Sequence, residues 1–167
     1  VAATTDRNRL RYERLDHEHA DALVDALGDV RVGRYIGGAE VTTPDAIRGR
    51  IARVLRGPAD PGERWLNFAV RRIDDDVVIG WLEATVYVEG WAEIAYVFGA
   101  AYWGHGYASE GVDWLVESLG VDEIWAAVHP DNARSIALLL RLGFVQRVSP
   151  TRPLGSYDPG DVVFERK

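Results

Sequence analysis

Apolar residues follow two rhythms along this chain. One is the three-to-four-residue spacing of a helix with a single buried stripe. It runs through Ala20, Leu23, Val24 and Leu27, with Asp16 as N-cap and Gly28 as stop. It returns at Ile47, Ile51, Val54 and Leu55, between Pro44 at a first-turn position and Gly57. A third stripe is Ala108, Val112, Leu115, Val116 and Leu119. A fourth is Ile136, Leu139 and Leu140, ended by Gly143, with Phe144 placed to fold back on the helix end. The other rhythm belongs to strands. Leu10–Leu15 alternates, and Trp65–Arg71 and Val77–Val88 read as two strands joined by the acidic turn Asp74–Asp76. Trp91–Phe98 reads as a buried strand, and Ile124–Val128 is apolar throughout, as expected of a strand covered on both faces. Val145–Val148 and Asp161–Glu165 are the expected closing strands, linked by the Pro- and Gly-containing segment Ser149–Gly160; Pro58–Gly62 is a loop by composition.

The order is strand, helices, antiparallel strands, then strand–helix–strand–helix–strand. It predicts a mixed α/β domain with a local parallel crossover near its centre. Ligands of such sheets collect outside the carboxyl ends of the parallel strands. There the chain reads Tyr102-Trp103-Gly104-His105-Gly106-Tyr107-Ala108-Ser109. A glycine turn opening a helix leaves unpaired N–H groups aimed at one point, and the helix dipole adds partial positive charge. Such a place suits a phosphate. The dipole alone contributes only about 0.3–1 kcal/mol when exposed, so several N–H contacts and further grips on the ligand are required.

Composition narrows the classes. With 167 residues, 47% hydrophobic and 27% charged, a single soluble domain over 1–167 is expected. No apolar run approaches the ~20 residues of a membrane helix. Val1–Arg7 lacks the apolar core of a signal peptide and opens without Met, so a processed or trimmed cytoplasmic chain is expected. Cysteine is absent, which removes disulfides, Cys-ligated metals and a thiol nucleophile. The net charge of -7 argues against nucleic acid as partner and suits a cationic substrate. Lysine occurs only at Lys167 among many arginines, a bias that points to a high-GC bacterium. The histidines His17, His19, His105 and His129 have no metal-ligand spacing, so no metal is expected.

Two separated segments carry a resemblance to one family. Gly104-His105-Gly106-Tyr107-Ala108 resembles the pyrophosphate loop, Q/R-x-x-G-x-G/A, of the GNAT superfamily of N-acetyltransferases. Asn132-Ala133-Arg134-Ser135, continuing to Leu140-Arg141-Leu142-Gly143-Phe144, resembles that superfamily's Asn-initiated helix ending in Gly-Phe. Trp-Gly-x-Gly-Tyr-Ala, Asp-Asn-x-x-Ser and the opening Arg9-Leu10-Arg11 look most like the RimJ/RimL type. The resemblance implies the GNAT fold: a central, mostly antiparallel sheet with a splayed parallel pair, flanked by helices. It implies acetyl-CoA as cosubstrate and direct attack by a primary amine in a ternary complex. The acceptor would be a protein N-terminus, a polyamine, an amino-acid derivative or an aminoglycoside, and a homodimer is compatible with the class. Carried over, the N–H groups of Gly104, His105, Gly106, Tyr107 and Ala108 would hold the diphosphate. The backbone of Val97 and Gly99 would pair with pantetheine, Val97 N–H serving also as oxyanion donor, and Asn132 would bond pantetheine from the facing helix. Glu93 is the expected base, with Glu83 in reserve, and Ser135 the expected hydrogen-bond donor to the departing thiolate. Trp91 and Trp103 are candidates for the cleft wall; Arg34–Gly38 and Leu154–Tyr157 are candidates for the acceptor wall.

Two departures from the family pattern stand out. Ala101 replaces the usual Gln or Arg of the loop, and Leu139 stands where many members carry a tyrosine general acid. Two other readings compete: a non-catalytic acyl-CoA sensor, and a dinucleotide-binding oxidoreductase, whose third glycine Ser109 replaces.

Overall fold

The computed structural model describes residues 4–167; Val1–Ala3, where the N-terminal reading begins, lie outside the described residues. In chain order come strands β1 (Thr4–Arg7) and β2 (Leu10–Arg14), then helices α1 (Ala20–Leu27), α2 (Val30–Gly33) and α3 (Pro44–Leu55). Strands β3 (Glu63–Arg72), β4 (Val78–Tyr87) and β5 (Trp91–Phe98) follow. Helix α4 (Tyr107–Leu119), β6 (Glu123–Val128), α5 (Ala133–Arg141), β7 (Val145–Arg147) and β8 (Val162–Arg166) complete the chain. All eight strands form one sheet in the order β1-β2-β3-β4-β5-β6-β8-β7. Every neighbouring pair is antiparallel except β5 and β6. The expected mixed sheet with one central parallel pair is what the chain forms.

Helices cover both faces. Residues 92, 94 and 98 of β5 belong to the larger core, with Val112 and Leu115 of α4 and Leu138 and Leu139 of α5. On the other face α1 and α3 bring Leu23, Leu27, Ile47 and Ile51 onto Ala69, Val78 and Trp81. Each large side chain fully buried contributes about 1.5–3 kcal/mol, so these two layers fix the sheet between them. Gly80 sits opposite Phe98 on β4. A Cβ there would come within 2.7 Å of the Phe98 ring and of the Val97 carbonyl oxygen, so only glycine lets that ring cross the strand.

Local signals explain most boundaries. Thr43 accepts the Ala46 N–H at 3.3 Å and Pro44 occupies the first turn of α3. Asp16 caps as expected, but it caps a separate 3-10 turn, His17–His19, that leads into α1. Short elements escape a periodicity reading, among them β1, which turns back through Asn8 in a left-handed conformation, α2, and the 3-10 turn Ala39–Thr42. None of the described helices is long and apolar enough to cross a membrane.

Candidate active site

The parallel pair opens like a fork. β5 and β6 are in register only at Trp91–Glu123, Ala92–Ile124 and Glu93–Trp125. Beyond Glu93, β5 continues with β4 as far as Phe98, while β6 continues with β8 to Val128. The gap between them bares one edge of β5.

Which groups face that gap follows from one bond. Gly99 donates its N–H to the Ile79 carbonyl at 2.9 Å, so this pair is hydrogen-bonded across β4 and β5. Antiparallel pairs alternate between bonded and non-bonded, which gives Val97, opposite Trp81, the same direction. Val97 and Gly99 therefore turn their N–H groups toward β4 and away from the gap, while Val97 still lines the cleft beside it. Ile94, Tyr96 and Phe98 present their backbones to the gap. The Phe98 carbonyl is taken by the Trp103 indole N–H at 2.8 Å.

After β5 the chain makes a 3-10 turn, Ala100–Tyr102, and then the glycine turn. Gly104 (φ 81°) and Gly106 (φ 80°) are both left-handed, a conformation that costs little only for glycine. Gly106 is the N-cap of α4 and provides no side-chain cap, leaving the first N–H groups of the helix open. Arg9 clamps the turn from outside: its guanidinium donates to the His105 carbonyl at 2.9 Å, pairs with Glu110, and lies 4.5 Å from the Tyr107 ring centre. These contacts of Arg9 tie the turn to β2 and α4.

A cleft of about 570 Å³ joins the turn to the gap. Among the described residues its walls carry Arg31, Arg134 and Arg141 and no carboxylate, in a chain whose net charge is -7. Arg31 pairs with Asp29, but Arg134 and Arg141 have no carboxylate partner among the described residues. Arg134 lies 3.7 Å above the Trp103 ring, and Arg141 donates to Ser109 Oγ at 3.2 Å on the first turn of α4. The cleft suits an anion.

Asn132 caps α5, its Oδ1 accepting the Ser135 N–H at 3.2 Å, and it lines the cleft together with Ser135. The Ser135 hydroxyl meets the Tyr96 phenol at 2.5 Å. Burial pushes the Tyr96 hydroxyl up to about 12, against a smaller lowering by Ser135 and by Arg141. Leu139 is fully buried in the core and has no part in the cleft. Trp103 lines the cleft as expected; Trp91 does not, being buried and stacked on Tyr87 with ring centres 3.8 Å apart.

The opposite face of the sheet holds a second hollow of about 390 Å³, roofed by Arg50 and Arg53 of α3. Its floor comes from cross-strand rows: Asn67, Glu83 and Ala95, then Trp65, Thr85 and Glu93. It reaches the fork at Ala95, directly behind Tyr96. Glu93 is buried here, and its carboxylate accepts the Gly155 N–H at 2.8 Å, the Ser156 N–H at 2.9 Å and the Ser156 hydroxyl. Both oxygens accept hydrogen bonds, so Glu93 ties the segment 149–160 to β5. Glu83 forms a two-pronged pair with Arg50, at 2.5 and 3.2 Å. No group of three or more potential metal ligands occurs among the described residues.

The same segment has a second tie. Arg152 grips Glu123 at 2.7 and 2.8 Å, and its guanidinium lies 5.5 Å from the Trp91 ring centre. The Arg152 bond, aided by the Trp125 indole N–H, holds the Glu123 carboxyl down at about 2. A depressed carboxyl stabilises the fold above its unfolded value near 4.5 and loses that contribution as pH falls through the folded value. The segment is therefore expected to loosen between about pH 4.5 and 2, with tryptophan fluorescence changing in that window and not above it.

Comparison with known proteins fits this geometry. Residues 9–145 match the model of the acetyltransferase (GNAT) domain. The chain belongs to the GNAT acetyltransferase family. It is 32% identical over 146 residues to the N-acetyltransferase p20 of Bacillus licheniformis, covering 81% of this chain and 79% of that one. A GNAT acetyltransferase from Bacillus anthracis shares the fold, with a TM-score of 0.75 and 20% identity over 97% of this chain and 95% of that chain. So does RimL, a ribosomal L7/L12 alpha-N-protein acetyltransferase solved with coenzyme A, with a TM-score of 0.73 and 17% identity over 96% and 94% of the two chains. As a GNAT member the chain is an acetyl-CoA-dependent N-acetyltransferase, and the dinucleotide reading falls away. Sequence reasoning missed Tyr96 and Phe98, whose orientation depends on pairing with β4. It also missed Arg134 and Arg141 as cleft cations, although their seven-residue spacing on α5 was a usable signal, since it places both on one helix face.

Proposed function

We propose that this chain transfers the acetyl group of acetyl-CoA to a primary amine that approaches from the α3 face of the sheet. The carrying observation is a cleft with three arginines and no carboxylate, joined to the open fork, in an acidic protein. Its charge suits the phosphates of CoA, and the open N–H groups of Gly104, His105, Gly106, Tyr107 and Ala108 suit the diphosphate. Arg141 and Arg134 stand in for the side chain missing at Ala101. The bared edge of β5 gives pantetheine a strand to pair with, and the Tyr96 N–H takes over the oxyanion role expected of Val97. Asn132 adds a polar contact from α5.

The acceptor hollow meets the fork at Ala95, and Glu83 lies beside Ala95 across the β4–β5 pair. The amine must shed a proton as it adds to the thioester carbonyl, and Glu83 is the carboxylate placed to receive it. The acidic floor favours a cationic amine, whether a peptide N-terminus, a polyamine, an amino-acid derivative or an aminoglycoside. A thiol-release assay with acetyl-CoA against these classes tests the reading. Release with at least one amine is expected; cofactor binding with no release from any of them would favour a sensor.

Glu93 takes a structural part in this account. Glu93→Gln places an amide N–H against backbone donors and should destabilise the fold by about 1–3 kcal/mol. It should raise KM for the acceptor while leaving acetyl-CoA affinity and the shape of the pH–rate profile unchanged. A lost acidic limb in that profile would return Glu93 to the chemistry.

A further inference from the structure

Leu139 leaves the family's usual tyrosine position without an ionisable group, yet the cleft holds a tyrosine on a different element. Tyr96 comes from β5 at the fork, and its phenol meets Ser135 of the first turn of α5 at 2.5 Å, with both residues lining the cleft. The two lie 39 positions apart in sequence and on opposite walls. We propose that Tyr96 and Ser135 act as one hydrogen-bonding unit, in which the phenol donates to the serine oxygen and thereby commits the serine proton to the sulfur that leaves the thioester.

The direction of the bond follows from acidity. A phenol is a much stronger acid than an alkyl hydroxyl, so Tyr96 is the donor and Ser135 the acceptor in their shared bond. The serine proton is then free to point into the cleft. Chained hydrogen bonds polarise one another in a low-dielectric site, so the second bond is stronger than a lone serine would give. Burial pushes the phenol up to about 12, well above an alkyl thiol near ~8.5. The phenol therefore keeps its proton and steadies the thiolate without protonating it. The charged groups of this cleft are Arg31, Arg134 and Arg141, and no carboxylate lines it among the described residues.

The step balances without a further reactant. Nitrogen adds to the carbonyl carbon, the C–S bond breaks, and its electron pair leaves on sulfur. The proton shed by nitrogen goes to the base on the other face of the sheet. The thiolate, held by Ser135, takes a proton from solvent as CoA departs. The Tyr96 phenol acts through Ser135 and has a positioning part; Ser135 is the group that would meet the sulfur.

The inference rests on the acetyl-CoA reading, and the test separates the two. Binding of CoA is first confirmed by thermal shift of the wild-type chain; no shift would sink the acetyl-CoA reading itself. The thiol of bound CoA is then titrated by thiolate ultraviolet absorbance in wild type, Tyr96→Phe, Ser135→Ala and the double variant. Tyr96→Phe should raise the apparent pKa of bound thiol by about one unit, a tenfold loss of thiolate stability, and lower kcat by roughly tenfold with KM for acetyl-CoA within twofold. The double variant should shift no further than Ser135→Ala alone, as for groups acting in series. A bound-thiol pKa unchanged in Tyr96→Phe, or additive shifts in the double variant, would overturn the proposal.

Discussion

Glu83→Gln is expected to lower kcat by roughly 10²–10⁴-fold while acetyl-CoA affinity stays within twofold, as loss of a general base would. Glu83 and Ala95 are cross-strand partners, so the carboxylate stands beside the point where β5 parts from β6. Arg50 holds it there from α3 with two bonds. Glutamine keeps the size and can still accept from Arg50, but it cannot take a proton from an incoming amine. The rise of the rate with pH that a general base gives should disappear with it. The comparison with Glu93→Gln is decisive, because the two carboxylates line the same hollow on neighbouring strands. If Glu93→Gln removes the rate and Glu83→Gln does not, the assignment is reversed.

Replacing Arg134 and Arg141 together by Ala should weaken acetyl-CoA binding by at least about 100-fold, since hydrogen bonds to charged groups contribute about 1.5–3 kcal/mol each. The remaining affinity should rest on the backbone of the glycine turn and depend less steeply on salt than that of the wild type. Neither arginine has a carboxylate partner among the described residues, so thermal stability without ligand should hardly change. Trp103 provides an internal check: removing the guanidinium 3.7 Å above its ring should alter its fluorescence. Calorimetric titration of the double variant decides this. Unchanged affinity would mean that the phosphates lie elsewhere.

Much of this architecture is legible in the order of residues because its signals are local. The helix stripes, Pro44, Asn132 and the glycine pair at 104 and 106 each act within a few positions, and β5 runs from Trp91 to Phe98 as expected. What was not legible depends on distant partners. Trp91–Phe98 is apolar nearly throughout, so nothing in it marks which backbone groups pair with β4 and which face the fork; a single Gly99–Ile79 bond decides that. The sequence around Glu93 does not show that Gly155 and Ser156, 62 and 63 positions later, donate to its carboxylate. β1 alternates between exposed and half-buried positions with no apolar side chain, so only its pairing with β2 makes it a strand.

Amide-resolved hydrogen exchange with and without acetyl-CoA bears most directly on how the fork is used. The cofactor should newly protect the amides of Tyr96 and of Gly104 through Ala108, while Val97 and Gly99, already bonded to β4, should be slow in both states. Fast exchange at Val97 in the free chain, with protection appearing there and not at Tyr96, would contradict the account.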